Sequence, residues 1–200
     1  MIILNLKIYT KSNLYIGGMP QEFEIGGIDM TTVTRDGRPY IPASSFKGAL
    51  REICKDHEND DIAELYEEYS DQEGKIKQKH LFIFGVPGRN RTAKLVFNDF
   101  ICTACAKDVK GGLFSIDMKN SIEEDTSKLI SNPRTYKVAK AGLTFEGKIL
   151  FRLIDMPLEN QNLIRKYVVN MCAKFNDGLY RLGNSKSRGY GHIQVTVEEG

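Results

Sequence analysis

Alternating apolar and polar residues predict four strands along the chain. In residues 2–9, leucine and isoleucine alternate with asparagine and lysine. The same alternation extends, less regularly, over 93–102, 143–153 and 193–197. A period of two places every second side chain on one face of a strand. The pattern therefore predicts half-buried strands that turn one face toward a core.

Two segments instead repeat their apolar residues with helical spacing. A short helix is predicted after Pro42, with Ser44 or Ser45 as its N-cap. A longer helix is predicted after Pro157, with three turns of apolar residues before Asp177-Gly178. The aspartate and glycine of that pair are a suitable C-cap.

The order of these elements predicts the fold class. Strand, helix, strand, insertion, strand, helix, strand is typical of an α+β ferredoxin-like (RRM-like) fold, with an antiparallel four-stranded sheet under two helices. We expect one domain over residues 1–200, with insertions at approximately 56–92 and 104–141. The second insertion is too long for a plain loop. We expect it to be a projecting arm in which Asn132-Pro133 breaks any regular element.

Composition changes this picture little, but the distribution of charge adds to it. The 41% hydrophobic and 27% charged residues are ordinary for a globular chain, and a net charge of +2 excludes a polycation. Residues 56–73 nevertheless contain nine acids and no Lys or Arg, whereas 75–94 contain six bases and no acid. This dipolar surface suits an anionic ligand or self-assembly. The alternative is a solvated acidic helix beside a basic loop.

No apolar run is long enough for a signal sequence or a membrane span. We therefore expect a cytoplasmic protein with no membrane partner. Cys102 and Cys105 have the spacing of zinc ligands, but no second such pair accompanies them, and Cys54 with His57 is an incomplete ligand set. Free thiols are favoured over a zinc site.

The stretch 183–192 is the strongest candidate for a ligand site. Its three glycines permit a backbone with positive φ, in which successive N–H groups form an anion nest. Two basic residues add charge suited to phosphate, and a tyrosine is available to stack on a base. An ordinary flexible turn is the alternative. The candidate contacts are Lys186, Ser187, Arg188, Gly189 and Tyr190.

Several motifs together resemble a known family. They are Ile25–Asp29, Arg35-Asp36, Tyr40–Arg51 with its IPASSFKGALR element, Phe84-Gly85, Asn132–Arg134, and the glycine loop 183–192. They resemble the CRISPR-associated RAMP superfamily, and most closely the repeating backbone subunit of type III (Csm/Cmr-type) effector complexes. Met30–Thr32 and the acidic stretch 56–73 depart from that pattern.

The resemblance implies a RAMP domain that polymerises along a CRISPR guide RNA, beside other copies of itself and other effector-complex subunits. The insertion is then a thumb-like hairpin that enters the guide–target duplex, with Asn132 and Arg134 among the RNA-binding residues. In backbone subunits that cleave target RNA, an aspartate in the loop after the first strand supports scission with a divalent metal ion, expected to be Mg²⁺. Asp29 occupies that place in this sequence.

The chemistry of the predicted first helix agrees with RNA binding. Lys47 and Arg51 lie four residues apart and share one helix face. The hydroxyls of Ser44 and Ser45 can donate to phosphate. The alternative is that the serines only cap the helix and that the two cations are solvated.

Three functions remain open. The first is a guide-binding subunit that cleaves target RNA through Asp29, and the second is a scaffold that never cleaves. The third is a guide-processing endoribonuclease of the same superfamily, which the size of the chain disfavours. Asp29 by itself also fits an Asx-turn, and Asp36-Gly37 predicts a turn rather than a second metal ligand.

Overall fold

The computed structural model describes residues 2–18, 28–57, 62, 65, 79–86, 88, 93–105, 109–125, 128–154 and 156–199, with only the backbone at 79, 121–125, 128–132 and 199. The described helices are α1 (Ala43–Asp56), α2 (Lys79–Phe84) and α3 (Leu158–Ala173). The described strands are β1 (Ile3–Thr10), β2 (Met30–Thr31), β3 (Thr34–Arg35), β4 (Arg38–Ile41), β5 (Leu95–Phe97), β6 (Phe100–Cys102), β7 (Phe114–Asp125), β8 (Lys128–Ala139), β9 (Thr144–Phe151) and β10 (Ile193–Glu199).

The larger sheet is antiparallel. Its order is β10-β1-β9-β6-β4-β3, and β5 also pairs with β9. Leu4, Leu6 and Ile8 are fully buried on one face of β1, as their alternation predicts. They belong to one hydrophobic cluster with the apolar faces of α1 and α3. The described chain is therefore a mixed α/β structure whose larger sheet is antiparallel.

The predicted strand over 93–102 is wrong in one detail, because it is divided into β5 and β6. Between them, Asp99 accepts hydrogen bonds from the Ala43 amide at 2.8 Å and from the Arg35 guanidinium at 2.6 Å. These two donors hold the pKa of Asp99 below its usual value. The capping prediction is also wrong, since α1 follows Pro42 without a side-chain cap from its own segment. Asp99 supplies the missing acceptor from across the fold.

A smaller sheet contains the insertion. β7 and β8 form a hairpin paired from Phe114–Ala139 to Asp125–Lys128, and β2 pairs in parallel with the other edge of β8. The expectation that Asn132-Pro133 breaks any regular element is wrong, because both residues lie within β8. Residues two apart in a strand point their backbone groups to the same edge. Because the Thr135 amide and carbonyl point toward β2, the nitrogen of Pro133 faces that edge as well. No hydrogen bond to β7 is lost there.

The predicted turns are confirmed. Asp36 and Gly37, with φ of 50° and 72°, join β3 to β4. After α3, a 3₁₀ turn over Lys174–Asp177 ends at Gly178 with φ of 77°, the predicted C-cap. The acidic stretch 58–73 lies outside the described residues apart from Ile62 and Leu65, which are both buried. None of the described helices has the length and apolar character needed to cross a bilayer.

Candidate nucleic-acid interface

The smaller sheet presents two chemically different faces. Residues in register on neighbouring strands point to the same side. One face, which we call the inner face, carries Ser115, Asp117, Lys119, Arg134, Tyr136 and Val138. The opposite or outer face carries Ile116, Met118, Thr135 and Lys137. The glycine loop packs on the inner face, because Tyr136, Val138 and Tyr190 share one buried cluster.

Asp29 is fixed to the edge of this sheet one residue before β2. Its amide donates to the Thr135 carbonyl at 3.1 Å, and its Oδ2 accepts from the Thr135 amide at 2.6 Å. Thr135 is in register with Met118, so Asp29, Thr135 and Met118 form one row across the sheet. The carboxylate is exposed, and the described residues make no other hydrogen bond to it. Gly26 and Gly27 lie outside the described residues.

The outer face next to Asp29 exposes two apolar side chains. Ile116 is 64% exposed and Met118 is 78% exposed. Burying such side chains against another surface is favourable, and exposed apolar groups beside a polar site often mark a contact surface. Sequence reasoning missed both residues. The available signal was their alternation with Ser115, Asp117 and Lys119.

The backbone of the glycine loop is locked against the segment after β1. The Asn184 amide donates to the Tyr15 carbonyl at 2.7 Å, and the Gly191 amide donates to the Asn13 carbonyl at 2.9 Å. A Cβ on Gly191 would lie 1.8 Å from the Leu182 oxygen, so only glycine fits there. Gly189 has the predicted positive φ, 92°, but a Cβ added there would meet open space. Lys186, Ser187 and Arg188 are all exposed.

Tyr190 holds this loop to the hairpin. It is only 7% exposed, and its hydroxyl donates a short hydrogen bond to Asp117. Burial and the nearby carboxylate raise the pKa of Tyr190. Asp117 also accepts hydrogen bonds from Ser115 at 2.8 Å and Asn13 at 3.1 Å. The expected stacking of Tyr190 on a base does not fit this geometry, because the ring is buried.

A cationic group that the sequence prediction missed lies over this tyrosine. Lys119 Nζ is 3.5 Å from the centroid of the Tyr190 ring. Burial and repulsion from Arg188 lower the pKa of Lys119, against the opposing pull of Asp117. Arg134, a predicted RNA contact, is exposed and lies opposite Lys119 in the register. Only the backbone of Asn132 is described.

The predicted RNA contacts on α1 lie among the packed helices. α1 packs against α2, α3 and β5. Ser44 is exposed, while Ser45, Lys47 and Arg51 are half-buried. The Arg51 Nε is buried without a hydrogen-bond partner, and no ion pair of Lys47 or Arg51 occurs among the described residues.

The potential metal ligands are dispersed. Within the described ranges, no three His, Cys, Asp or Glu side chains come together as a metal cluster. Cys54, Cys102 and Cys172 are buried thiols and Cys105 is an exposed one, and none of the four is in a disulfide. At the edge of the smaller sheet, Asp29 offers one oxygen beyond its bond to Thr135. Mg²⁺ is commonly held by one or two carboxylates together with substrate phosphates and water, so Asp29 fits a site that RNA completes.

The chain is a mixed α/β domain in which a basic glycine loop packs on a long β-hairpin. The model of the RAMP superfamily matches residues 7–194. The chain therefore belongs to the RAMP superfamily, as its motifs predict.

Two named proteins and one solved structure are similar to this chain. A Streptococcus thermophilus protein named CRISPR system Cms endoribonuclease Csm3 is 30% identical over 96% of this chain and 86% of its own length. A protein of the same name from Methanocaldococcus jannaschii is 27% identical over 96% of this chain and 77% of its own. Among solved structures, the fold matches a chain in the cryo-EM structure of the type III-B Cmr-β complex bound to cognate target RNA, with a TM-score of 0.63 and 19% identity. The match covers 99% of this chain, which spans 61% of that chain's length.

Proposed function

We propose that this chain is a backbone subunit of a type III CRISPR RNA-guided effector complex, which binds guide RNA and cleaves bound target RNA through Asp29. The observation that carries the proposal is the exposed Asp29 carboxylate, fixed to β8 beside the exposed side chains of Ile116 and Met118, with Lys119 and Arg134 on the opposite face of the sheet. Likeness to two proteins named as CRISPR endoribonucleases, over nearly the whole chain, supports it.

The finer fold assignment belongs to this proposal. We infer a ferredoxin-like domain, because β10-β1-β9 and then β5 or β6 follow the strand order of that fold, with α1 and α3 as its two helices. The β7–β8 hairpin then corresponds to the thumb. Its exposed Ile116 and Met118 suit insertion between stacked base pairs, where apolar side chains replace stacking contacts.

Guide RNA is proposed to run along the basic groups of the inner face and of α1. Arg134, Lys186, Ser187 and Arg188 are exposed on the hairpin and the glycine loop. Ser44, Ser45, Lys47 and Arg51 of α1 are proposed as a second set of contacts. Side chains of this kind contact the phosphate backbone rather than base edges. Binding independent of sequence is what a guide-carrying subunit requires, because base pairing carries the specificity. Other copies of this chain and other effector subunits are the expected protein partners, in the prokaryotic cytoplasm.

Target RNA is proposed to pass the outer face, where Asp29 is within reach of a ribose. A carboxylate facing a phosphate backbone is repelled by it, so its position makes chemical sense if it acts on a proton or a cation. As a general base, Asp29 accepts the 2′-hydroxyl proton while the 2′-oxygen attacks the adjacent phosphorus. The P–O5′ bond breaks, and the 5′-oxygen leaves with a proton from water. The products carry a 2′,3′-cyclic phosphate and a 5′-hydroxyl.

Alternatively, Asp29 would hold a divalent ion at the same place, and water would take the 2′-hydroxyl proton. When bound, it neutralises charge that develops on the phosphate oxygens. The contribution of this chain is the Asp29 oxygen that Thr135 leaves available, and the remaining ligands would come from RNA and water.

The test is to co-express the chain with a CRISPR array and purify it under native conditions. We expect RNA of guide length, with several protein copies per RNA, and cleavage of complementary target RNA that requires a divalent ion. Guide-bound assemblies that never cleave would leave the scaffold function. Cleavage of the precursor transcript by the isolated chain would identify a guide-processing enzyme instead. Absence of any bound RNA would overturn the proposal.

A further inference from the structure

We propose that Lys119 of the hairpin and Arg188 of the glycine loop jointly bind one phosphodiester of single-stranded RNA, with Asp117 as the positioning residue. This inference rests on the proposed RNA-binding function and deepens it. It assigns a shared phosphate site to two elements that are distant in sequence but meet on the inner face.

The first argument is the proximity of two like charges. Lys119 lies over the Tyr190 ring, and Tyr190 is two residues after Arg188, so both cations sit where the hairpin meets the loop. Repulsion from Arg188 acts on the Lys119 ammonium. Two cations held close together are unfavourable in the free protein unless an anion separates them. A phosphate between them removes that repulsion.

The second argument is that the nearby carboxylate of Asp117 already accepts hydrogen bonds from other residues. Asp117 accepts hydrogen bonds from Tyr190, Ser115 and Asn13, and no ion pair joins it to Lys119 or Arg188 in the described chain. Burial acts to raise the pKa of Asp117, but the hydrogen bonds from these three donors and the charge of Lys119 together hold it below its usual value. The carboxylate therefore fixes the tyrosine beneath Lys119, and it leaves both cations available.

The third argument is access. Arg188 and the adjacent Gly189 are exposed, and a Cβ on Gly189 would meet nothing within 4 Å. Space for a phosphate is therefore open beside Arg188. The planar guanidinium can bond two phosphate oxygens at once, while the lysine contributes a point charge.

The experiment measures binding of a fluorescent, mixed-sequence single-stranded RNA of guide length to the full chain across a salt series. The variants are Lys119→Gln, Arg188→Gln and the double variant. The matched control is Lys166→Gln, an exposed lysine on α3. Each phosphate neutralised on a single strand contributes about 0.7 to the slope of log affinity against log salt.

For one shared phosphate, we expect the double variant to shallow the slope by about 0.7. Each single variant should weaken binding about tenfold, and the double variant should weaken it by less than the product of the two. Lys119→Arg should retain wild-type binding. Asp117→Asn should weaken binding while the variant stays folded, because the tyrosine beneath Lys119 is then held less firmly.

The contrary results are distinct. A loss of about 1.4 in slope with independent effects would mean two separate phosphates and overturn the shared site. Wild-type slope and affinity in the double variant would overturn the inference but leave the proposed function standing. Failure of the wild-type chain to bind the fluorescent RNA, together with absence of co-purified RNA after co-expression with a CRISPR array, would overturn both.

Discussion

The backbone amide of Thr135 donates a 2.6 Å hydrogen bond to the side chain of Asp29, and the Asp29 amide donates back to the Thr135 carbonyl. Two bonds in opposite directions join the loop after β1 to the hairpin strand β8. The carboxylate position therefore depends on the hairpin as well as on its own loop. A change that shifts the hairpin should also shift Asp29.

Asp29→Ala should lower cleavage of target RNA by ~10² or more and leave guide binding unchanged. Asp29→Asn should lose cleavage as well, because an amide cannot accept the proton. Rates on all-ribose and 2′-deoxy-substituted targets measure the effect, with melting curves in parallel. Asp36→Asn is the control, since Asp36 is an exposed carboxylate in the β3–β4 turn. Equal cleavage by wild type and Asp29→Ala would remove the catalytic assignment.

Met118→Ser should reduce cleavage of target RNA while guide binding and melting temperature stay near wild type. Met118 is in the same row as Asp29 and is largely exposed, so it adds little to the packing of the free protein. Its apolar surface gains a partner only when target RNA lies on the outer face. Single-turnover cleavage with saturating protein measures this. Ile154→Ala, which removes an exposed isoleucine after β9, should have no effect. A similar loss in both variants would point to a general defect.

Lys47→Ala and Arg51→Ala should each shallow the salt dependence of RNA affinity by about 0.7 if each contacts one phosphate. Both cations share a face of α1 and form no ion pair within the described chain. Lys55→Ala is the matched control, because Lys55 is on the same helix but is paired with Glu52 at 2.9 Å. Unchanged slopes for both variants would mean that Lys47 and Arg51 are simply solvated.

The sequence predicted the strands and helices well where one periodicity ran without interruption. β1, β9 and α3 follow directly from their apolar patterns. The hairpin was harder, because Pro133 normally ends a strand. It is tolerated because its nitrogen faces away from β7, toward the β2 side of β8, a long-range fact that local sequence does not contain. The cap from Asp99 to Ala43 was hidden for the same reason.

In the candidate site, too, local signals were predictable from the sequence and features that depend on long-range packing were not. Motifs located Asp29 and the glycine loop, since glycines and charges at fixed spacing are local signals. Lys119 carries no local signal, and its role depends on its contact with Tyr190 and its charge repulsion with Arg188, which are about 70 residues away in sequence. Tyr190 was predicted to stack on a base because its type and position fit that role. Its burial against Asp117 follows only from the packing of the hairpin.

Gly191→Ala and Gly189→Val should differ in their effects on stability and on RNA binding by the glycine loop. A Cβ at position 191 overlaps the Leu182 oxygen, so Gly191→Ala should lower the melting temperature strongly. Gly189 has free space, but its φ of 92° strains a β-branched residue. Gly189→Val should therefore melt closer to wild type and still weaken RNA binding by distorting the backbone next to Arg188. Undiminished RNA binding by Gly189→Val would count against an anion nest in this loop.

Lys119→Gln should raise the melting temperature of the RNA-free protein at neutral pH, although the same change weakens RNA binding. Burial and Arg188 lower the pKa of Lys119 in the fold, so its charged form is less stable there than in the unfolded chain. This cost is fully present below the folded pKa. It fades as pH rises through that value, and it is absent above the unfolded value of about 10.4. The stabilisation by Lys119→Gln should therefore shrink toward high pH.

Melting curves from about pH 7 to about pH 10, for wild type and Lys119→Gln, measure this trend. In an Arg188→Gln background the gain should be smaller, because one source of the cost is already removed. Lys166→Gln, on the exposed side of α3, should show neither effect. A lower melting temperature for Lys119→Gln would mean that the attraction between its ammonium and the Tyr190 ring outweighs burial and repulsion. A gain in stability together with a loss of RNA affinity would identify Lys119 as a residue that strengthens RNA binding but lowers the stability of the RNA-free protein.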